Sequence, residues 1–500
     1  MDILVSISKA GGVNRRQTPR AMSPMDKGVT SAIAANRFGL GARPGELAAI
    51  GGSGPDWLRS QLDGRAPQIA EQGLQSSASI LTQLDDLRRA IRAERASAAG
   101  GNDRARSGAG SDAAIGALEK LPQLIRPIYL AEASARFRQS VATDRPFVER
   151  LTQFWANHFA VSVDKSVLAA LAGSYEREAI RPYVLGNFGD MLLATTRHPA
   201  MLLYLDNQLS MGPDSRAARN VARRNPDRKT GINENLARET MELHTVGVDG
   251  GYSQSDVTVL SQVLTGWSIA GRDSWRTGDE AGTFLFRAGM HEPGPKVVLG
   301  KTYPDIGYGQ GVAVLRDLAA RPATARFIAV KLTRHFIADD PPVAAVERVS
   351  AAFSESGGDL PTVYRALITS PEAWQEPLSK YKTPSDFIVS AFRGLEIPVA
   401  TDKAPVGLFQ LLGQRIWGPG SPAGWPDRSA DWDGASGLLK RIEWADALGQ
   451  RLGSRSNAME LAPQLLGKAL STATREALAH AASGAQAIAL MLASPEFMRR

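Results

Sequence analysis

Residues 147–159 read Phe-Val-Glu-Arg-Leu-Thr-Gln-Phe-Trp-Ala-Asn-His-Phe. Phe147, Leu151, Phe154 and Trp155 recur at the spacing of one helix face turned toward a core. His158 projects near the middle of that stripe. The stretch therefore predicts a helix over 145–160 that carries an imidazole inward, where a hydrogen-bonded core histidine and a ligand are both open readings. The same period extends in both directions. It predicts helices over 114–142, 167–180, 189–206, 232–246 and 254–267, and again over 309–320, 323–337, 343–355, 384–394, 405–416, 436–452, 460–470, 474–482 and 485–493. The fold class that follows is all-α, a large multi-helix bundle. One departure stands out. Thr283–Phe286 and Lys296–Gly300 are β-prone runs around His291-Glu292-Pro293-Gly294-Pro295, which predicts one small β-hairpin insertion near 283–300 with His291 at its tip.

The 500 residues divide on composition into a disordered basic N-terminus (1–27), an N-terminal helical segment (28–98) and a flexible Ala/Gly/Ser linker (96–114). A central helical domain (115–396) and a C-terminal helical segment packing on it (397–500) complete the chain. Gly418–Trp432 is a long loop rich in Pro, Gly and Trp, of the kind that packs over a site. The absence of cysteine excludes disulfides, a thiol nucleophile and Cys-ligated metal sites. No apolar run is long enough to span a bilayer. The chain contains no nucleophile elbow, phosphate loop or His-Glu-x-x-His motif.

Charge is concentrated. Five cations against two acids in 1–27, and six against two in 214–229, account for the whole formal charge of +7. The second segment carries Arg216, Arg219, Arg223 and Arg224 without an aromatic residue. It reads as a solvated loop or as a contact for an acidic polymer or membrane headgroups, and a nucleic-acid role is not expected. Arg15-Arg16 has the look of a twin-arginine signal, but no apolar stretch comes after it, so the chain reads as cytoplasmic.

The densest polar segment in a helical context is Asn233–His244. At about 100° per residue, Asn235, Arg238, Glu239 and Glu242 share one face, with Ile232, Leu236 and Leu243 beside them toward the core. His244 lies nearly opposite Glu242, so it cannot share an ion with both carboxylates unless the helix distorts there. Arg238 and Glu242 at i,i+4 also suit a surface ion pair. His198 precedes Pro199, which predicts a kink. His335 closes a helix, where a cation meets the helix dipole favourably.

Several motifs occur in a recognisable order: Asn36-Arg37-Phe38-Gly39-Leu40-Gly41, Phe154-Trp155-Ala156-Asn157-His158-Phe159, His198-Pro199-Ala200-Met201-Leu202 and Asn233–Gly247. Leu264-Thr265-Gly266-Trp267, His291-Glu292-Pro293-Gly294-Pro295-Lys296 and Gly424-Trp425-Pro426 continue the series. In this order the chain resembles the bacterial domain of unknown function 1800 family over nearly its whole length. That resemblance implies a mainly helical protein, export to the periplasm or cell surface, and a co-encoded sulfatase-like partner. It implies no established reaction. Ala156 departs from the histidine that the resemblance leads one to expect.

Two functions emerge as expectations. The first is a metal-assisted hydrolase whose pocket joins Glu239, Glu242, Arg238 and His158 as catalytic groups, with Asn235, His198, His291 and Trp425 binding substrate. An oxygen- and imidazole-rich site of that kind suits a divalent metal. The second is a non-catalytic surface or assembly protein that binds a partner protein or an acidic polymer through the 214–229 arginines.

Overall fold

The computed structural model describes residues 27–69, 73–99, 109–225, 231–272, 274, 278–376, 378–399, 405–453 and 456–500. Helix dominates them, as the periodicity requires, and the only strands among them form two small antiparallel pairs. The elements that position the site are α1 (Ser77–Ala99), α2 (Ala109–Ala142), α3 (Pro146–His158), α4 (Ser166–Tyr175), α5 (Phe188–Arg197), α6 (Pro199–Tyr204) and α7 (Arg216–Arg224). They continue with α8 (Asn235–Glu239), α9 (Gln254–Val263), α10 (Pro322–Phe336), α11 (Pro384–Gly394), α12 (Ala435–Leu452) and α13 (Gly484–Ala493).

Two apolar cores organise the chain. The larger is built from Phe38, Phe147, Leu151, Trp155, Leu171 and Leu260 with many neighbours. The second joins Phe137, Phe387, Phe409, Leu448, Met491 and Phe497. Trp57 and Trp417 pack against both. The stripe of 147–159 behaves as its spacing predicts. Pro146 starts α3, where its missing N–H costs nothing, and Phe147, Leu151, Phe154, Trp155 and His158 are all buried. Helix α11 opens on a capping box in which Thr383 and Asp386 bond each other's backbone N–H. That box places the Asp386 carboxylate at a helix N-terminus, a favourable position for negative charge.

The two β-prone runs are extended, but they do not pair with each other. Strand β1 (Trp267–Ile269) pairs with β2 (Phe284–Phe286), and β3 (Lys296–Val298) pairs with β4 (Lys301–Tyr303). Leu299 and Gly300 both take positive φ between β3 and β4, the two-residue hairpin turn whose twist matches the strands. His291 is consequently no tip. It is 6% exposed, and its Nδ1 lies 3.1 Å from the Thr265 carbonyl oxygen.

Other segments differ from their expected form. The 214–229 segment is helical over Arg216–Arg224 and is capped by Ser215, whose hydroxyl accepts from Ala218 N–H. The linker expected over 96–114 is entered by α1 and α2 from its two ends, and residues 100–108 lie outside the described residues. So do residues 1–26 and 226–230. The 189–206 helix breaks at His198-Pro199 into α5 and α6, as the proline dictates. The 232–246 helix is α8 continued by a π turn over Thr240–His244. No helix among the described residues is long and apolar enough to cross a membrane.

Candidate functional site

The structure separates the residues of the acidic face from the imidazole expected to meet them. Arg238 bonds Glu242 through Nη1 at 3.2 Å, Glu234 through Nη2 at 3.2 Å and Gln254 at 2.9 Å. The i,i+4 ion pair is therefore real, and burial and then neighbouring Glu242 push the Tyr252 phenol up to about 12. Glu239 is half-buried. Burial, and then the neighbouring charge of Glu242, raise its pKa. Tyr204 faces it, with a phenol that burial and then the Glu239 and Asp164 charges push up to about 12. Asn235 is exposed, Leu236 is buried, and Ile232 and Leu243 are half-buried.

The π turn explains why His158 arrives elsewhere. An i→i+5 turn inserts a residue into the helix and rotates the side chains beyond it, and here His244 is turned inward to 1% exposure. His158 reaches this segment from its buried side. Its Nε2 lies 3.1 Å from the His244 carbonyl oxygen, and the two rings are 6.2 Å apart. A carbonyl can only accept, so Nε2–H donates and Nδ1 carries the lone pair. That Nδ1 is buried without a partner. Burial, and then the Lys331 and His244 charges, hold the His158 pKa well below its usual value.

His198 and His291 stand apart from both. The His198 Nδ1 accepts from Ala200 N–H, so its Nε2 carries the proton and donates to Glu178 at 3.0 Å. That neutral ring caps α6. Among the described residues no group of three or more His, Asp or Glu side chains converges on a point that could hold a metal ion. The predicted oxygen and imidazole set is thus not brought together among the described residues.

The fold instead assembles a cleft of about 90 Å³ between α3, the end of α10, the start of α11 and the loop 414–427. Arg136, Arg150, Arg415, Asp386 and Asp427 supply its charged wall with the His335 ring among them, while Trp417 and Trp425 supply aromatic faces. Ala156, standing where a histidine is expected, is also in the wall. The long loop is fixed by Asn157, whose side chain donates to the Trp425 carbonyl at 2.8 Å and accepts from its N–H at 2.7 Å. Gly424 is required beside this clamp. Its φ is +82°, and a Cβ there would collide with the Asn157 carbonyl.

His335 is held by the same loop, with Nδ1 3.1 Å from Asp427 Oδ1. Burial alone would raise Asp427, but the His335 hydrogen bond and the Lys331 charge hold it down at about 2. Asp427 is therefore an acceptor and His335 Nδ1 the donor, which leaves the Nε2 lone pair buried and without a partner. Burial, and then Arg500, lower the His335 pKa to about 4 against the pull of Asp427. Arg150 donates Nε–H to the Gly39 carbonyl at 2.5 Å and pairs Nη1 with Asp386 at 3.0 Å. Asp386 also pairs with Arg500 at 2.9 Å.

A family model described as a protein of unknown function, DUF1800, matches residues 33–499. The chain belongs to the DUF1800 family. No curated protein and no solved structure matches it. The cleft of this DUF1800 chain draws on residues that spacing could not connect: Arg150, His335, Asp386 and Asp427. Only Trp425, on a loop whose length and composition marked it, belongs both to the predicted set and to the cleft. The capping box before Asp386 was the other available signal, although it reports a helix start rather than a site.

Proposed function

We propose that the cleft is a small-molecule site in which His335, aligned by Asp427, exchanges a proton with bound ligand or water, and that hydrolysis is the reaction class it serves best. The observation that carries this reading is the unpartnered Nε2 of His335 in a wall that also holds Arg150. A neutral imidazole whose other nitrogen is committed to a carboxylate is the arrangement of a general base. Nε2 would take a proton from water as the water adds to an ester, and return it to the leaving oxygen. The p-nitrophenyl esters of acetate, phosphate and sulfate test this. His335→Gln should lower turnover by about 100-fold or more, while Glu242→Gln leaves it unchanged. If His335→Gln retains activity and Glu239→Gln or Glu242→Gln loses it, the chemistry belongs to the carboxylate pair instead. If the unaltered protein turns over none of the three, the hydrolase reading falls.

A second reading is non-catalytic, and a separate observation favours it. Arg216, Arg219, Arg223 and Arg224 on α7 are all exposed, and no described carboxylate pairs with them. The first three lie within about 60° of arc, a stripe suited to an acidic polymer.

A further inference from the structure

The charges behind the cleft do not balance. Arg150, Lys382, Arg441 and Arg500 are each at most 2% exposed, and they surround the single carboxylate of Asp386. Two of them take its oxygens directly. Among the described residues, Lys382 Nζ meets the Ser390 hydroxyl at 3.1 Å and the Phe497 ring at 4.2 Å. Arg441 lies over the Tyr381 ring at 4.3 Å, and its Nη1 is buried without a partner. Buried cations without counter-charge are expensive, and low-dielectric walls focus their field into the nearest opening. That opening is the cleft, where Arg150 has no protein hydrogen bond at Nη2 among the described residues. A cationic ligand would find no free carboxylate there, because Asp386 is held by two arginines and Asp427 by His335.

We infer that the cleft takes a small ligand bearing an oxyanion, a carboxylate or a phosphate, seated against Arg150 and His335. This rests on the cleft being the functional site, and it names the ligand class of that site. The ring faces of Trp417 and Trp425 would cover the body of the ligand while the arginine fork holds its anionic end. An anion within reach of His335 Nε2 meets a lone pair, so in that complex the nitrogen gains a proton and becomes a donor, whereas an ester whose anionic end sits on Arg150 alone leaves it free to act as the base. The groups facing His335 are Asp427, Asp386, Arg150 and Arg500, with the Phe154 and Phe336 rings closing the remainder. The anion adds the negative charge this set lacks. Binding should therefore take up a proton, and affinity should rise as pH falls from 7 toward 5.

Calorimetric titration of the full chain with inorganic phosphate, citrate, glucuronate and neutral glucose tests the inference. The anions should bind, more weakly as salt is added, and glucose should not. Citrate or glucuronate without phosphate would assign the carboxylate, and the reverse would assign phosphate. Lys382→Met, which removes a cation from behind the wall, should weaken anion affinity about tenfold. Arg415→Gln at the half-exposed rim should weaken it less, and should fold normally if Lys382→Met does not. With glucuronate, which stays ionised from pH 7 to 5, His335→Gln should flatten the rise in affinity toward pH 5, leaving only the part that Lys382 contributes near pH 7. If glucose binds as well as the anions, the anion inference is overturned while the cleft remains a binding site. If none of the four ligands binds, both fail. Anion binding unaltered in Lys382→Met and Arg415→Gln would place the anion elsewhere and overturn the assignment to this wall.

Discussion

Two buried charge networks lie on either side of the cleft, and they are built differently. In the first, Arg177 pairs with Glu132 at 2.6 Å, Arg181 takes both oxygens of Glu149 at 2.6 and 2.7 Å and also pairs with Glu176 at 2.9 Å, and Arg136 pairs with Glu176 at 2.7 Å. Three arginines meet three glutamates. Burial would raise Glu176, but Arg136 and Arg181 pull it below its usual value, so it stays ionised. In the second, Asp386 alone faces several cations, and burial, with Arg150, Arg500 and Arg441 adding to it against the pull of Asp386, brings the Lys382 pKa down to about 7. A closed network needs nothing from outside and reads as architecture. An open one is a standing electrostatic cost, which a ligand of the right sign would relieve. Charge balance, rather than the mere presence of buried ions, is thus what distinguishes the two networks.

Substitution separates the two networks most sharply. Arg181→Met should cost roughly 3–5 kcal/mol, because Glu149 would stay buried without its cation while Glu176 keeps only Arg136. The loss would appear as a lower urea midpoint with ligand response retained. Lys382→Met should cost nothing or add stability. The sign for Lys382 comes from its lowered pKa. Between about pH 7 and the ordinary lysine value of 10.5 the unfolded chain binds more protons, so stability should rise with pH across that window. Melting curves from pH 7 to 9 should show the rise, and Lys382→Met should flatten it. Equal destabilisation by both substitutions would show that the second network is closed by interactions equivalent to the first.

The acid side gives a smaller effect of the same sign. Burial first, with nearby cations, lowers the pKa of His158, His244 and His335, to about 3 for His244 and about 4 for His335. Each is neutral in the fold but titrates near 6.5 when unfolded. Stability contributed this way is present above 6.5 and is lost as pH falls through the folded values. The melting temperature should therefore decline from pH 6.5 toward 4, less steeply in His335→Gln. A flat profile would mean that these rings are solvated.

Much of this fold is legible locally. The stripe at 147–159 predicted its helix and the burial of His158, because an amphipathic period is a local property. Pro199 predicted the break after Arg197. Spacing could not supply partners. The run Thr283–Phe286 is β-prone whether it pairs with Trp267–Ile269 or with Lys296–Val298, and that choice is made by tertiary packing. The π turn after Glu239 is equally silent in the sequence. By rotating His244 inward, it moves the contact with His158 from the carboxylates to a carbonyl. The cleft escaped for the same reason, since Arg150, His335, Asp386 and Asp427 are neighbours only after folding. Reading His335 as a helix-end cation was reasonable for an exposed ring; a buried one bonded to Asp427 carries different chemistry.

The smallest stability effect belongs to α7, and it contrasts with both buried networks because its arginines are exposed. Replacing Arg223 and Arg224 by glutamine removes no described ion pair and exposes no apolar surface, so stability should change by no more than about 0.5 kcal/mol. Any polyanion binding should change much more. If the helix engages a linear polyanion, the slope of log affinity against log salt should fall by about one for each arginine removed. Polyphosphate titrated at several salt concentrations measures that slope directly. A slope that does not change on replacing both residues would return the α7 arginines to the role of a solvated face.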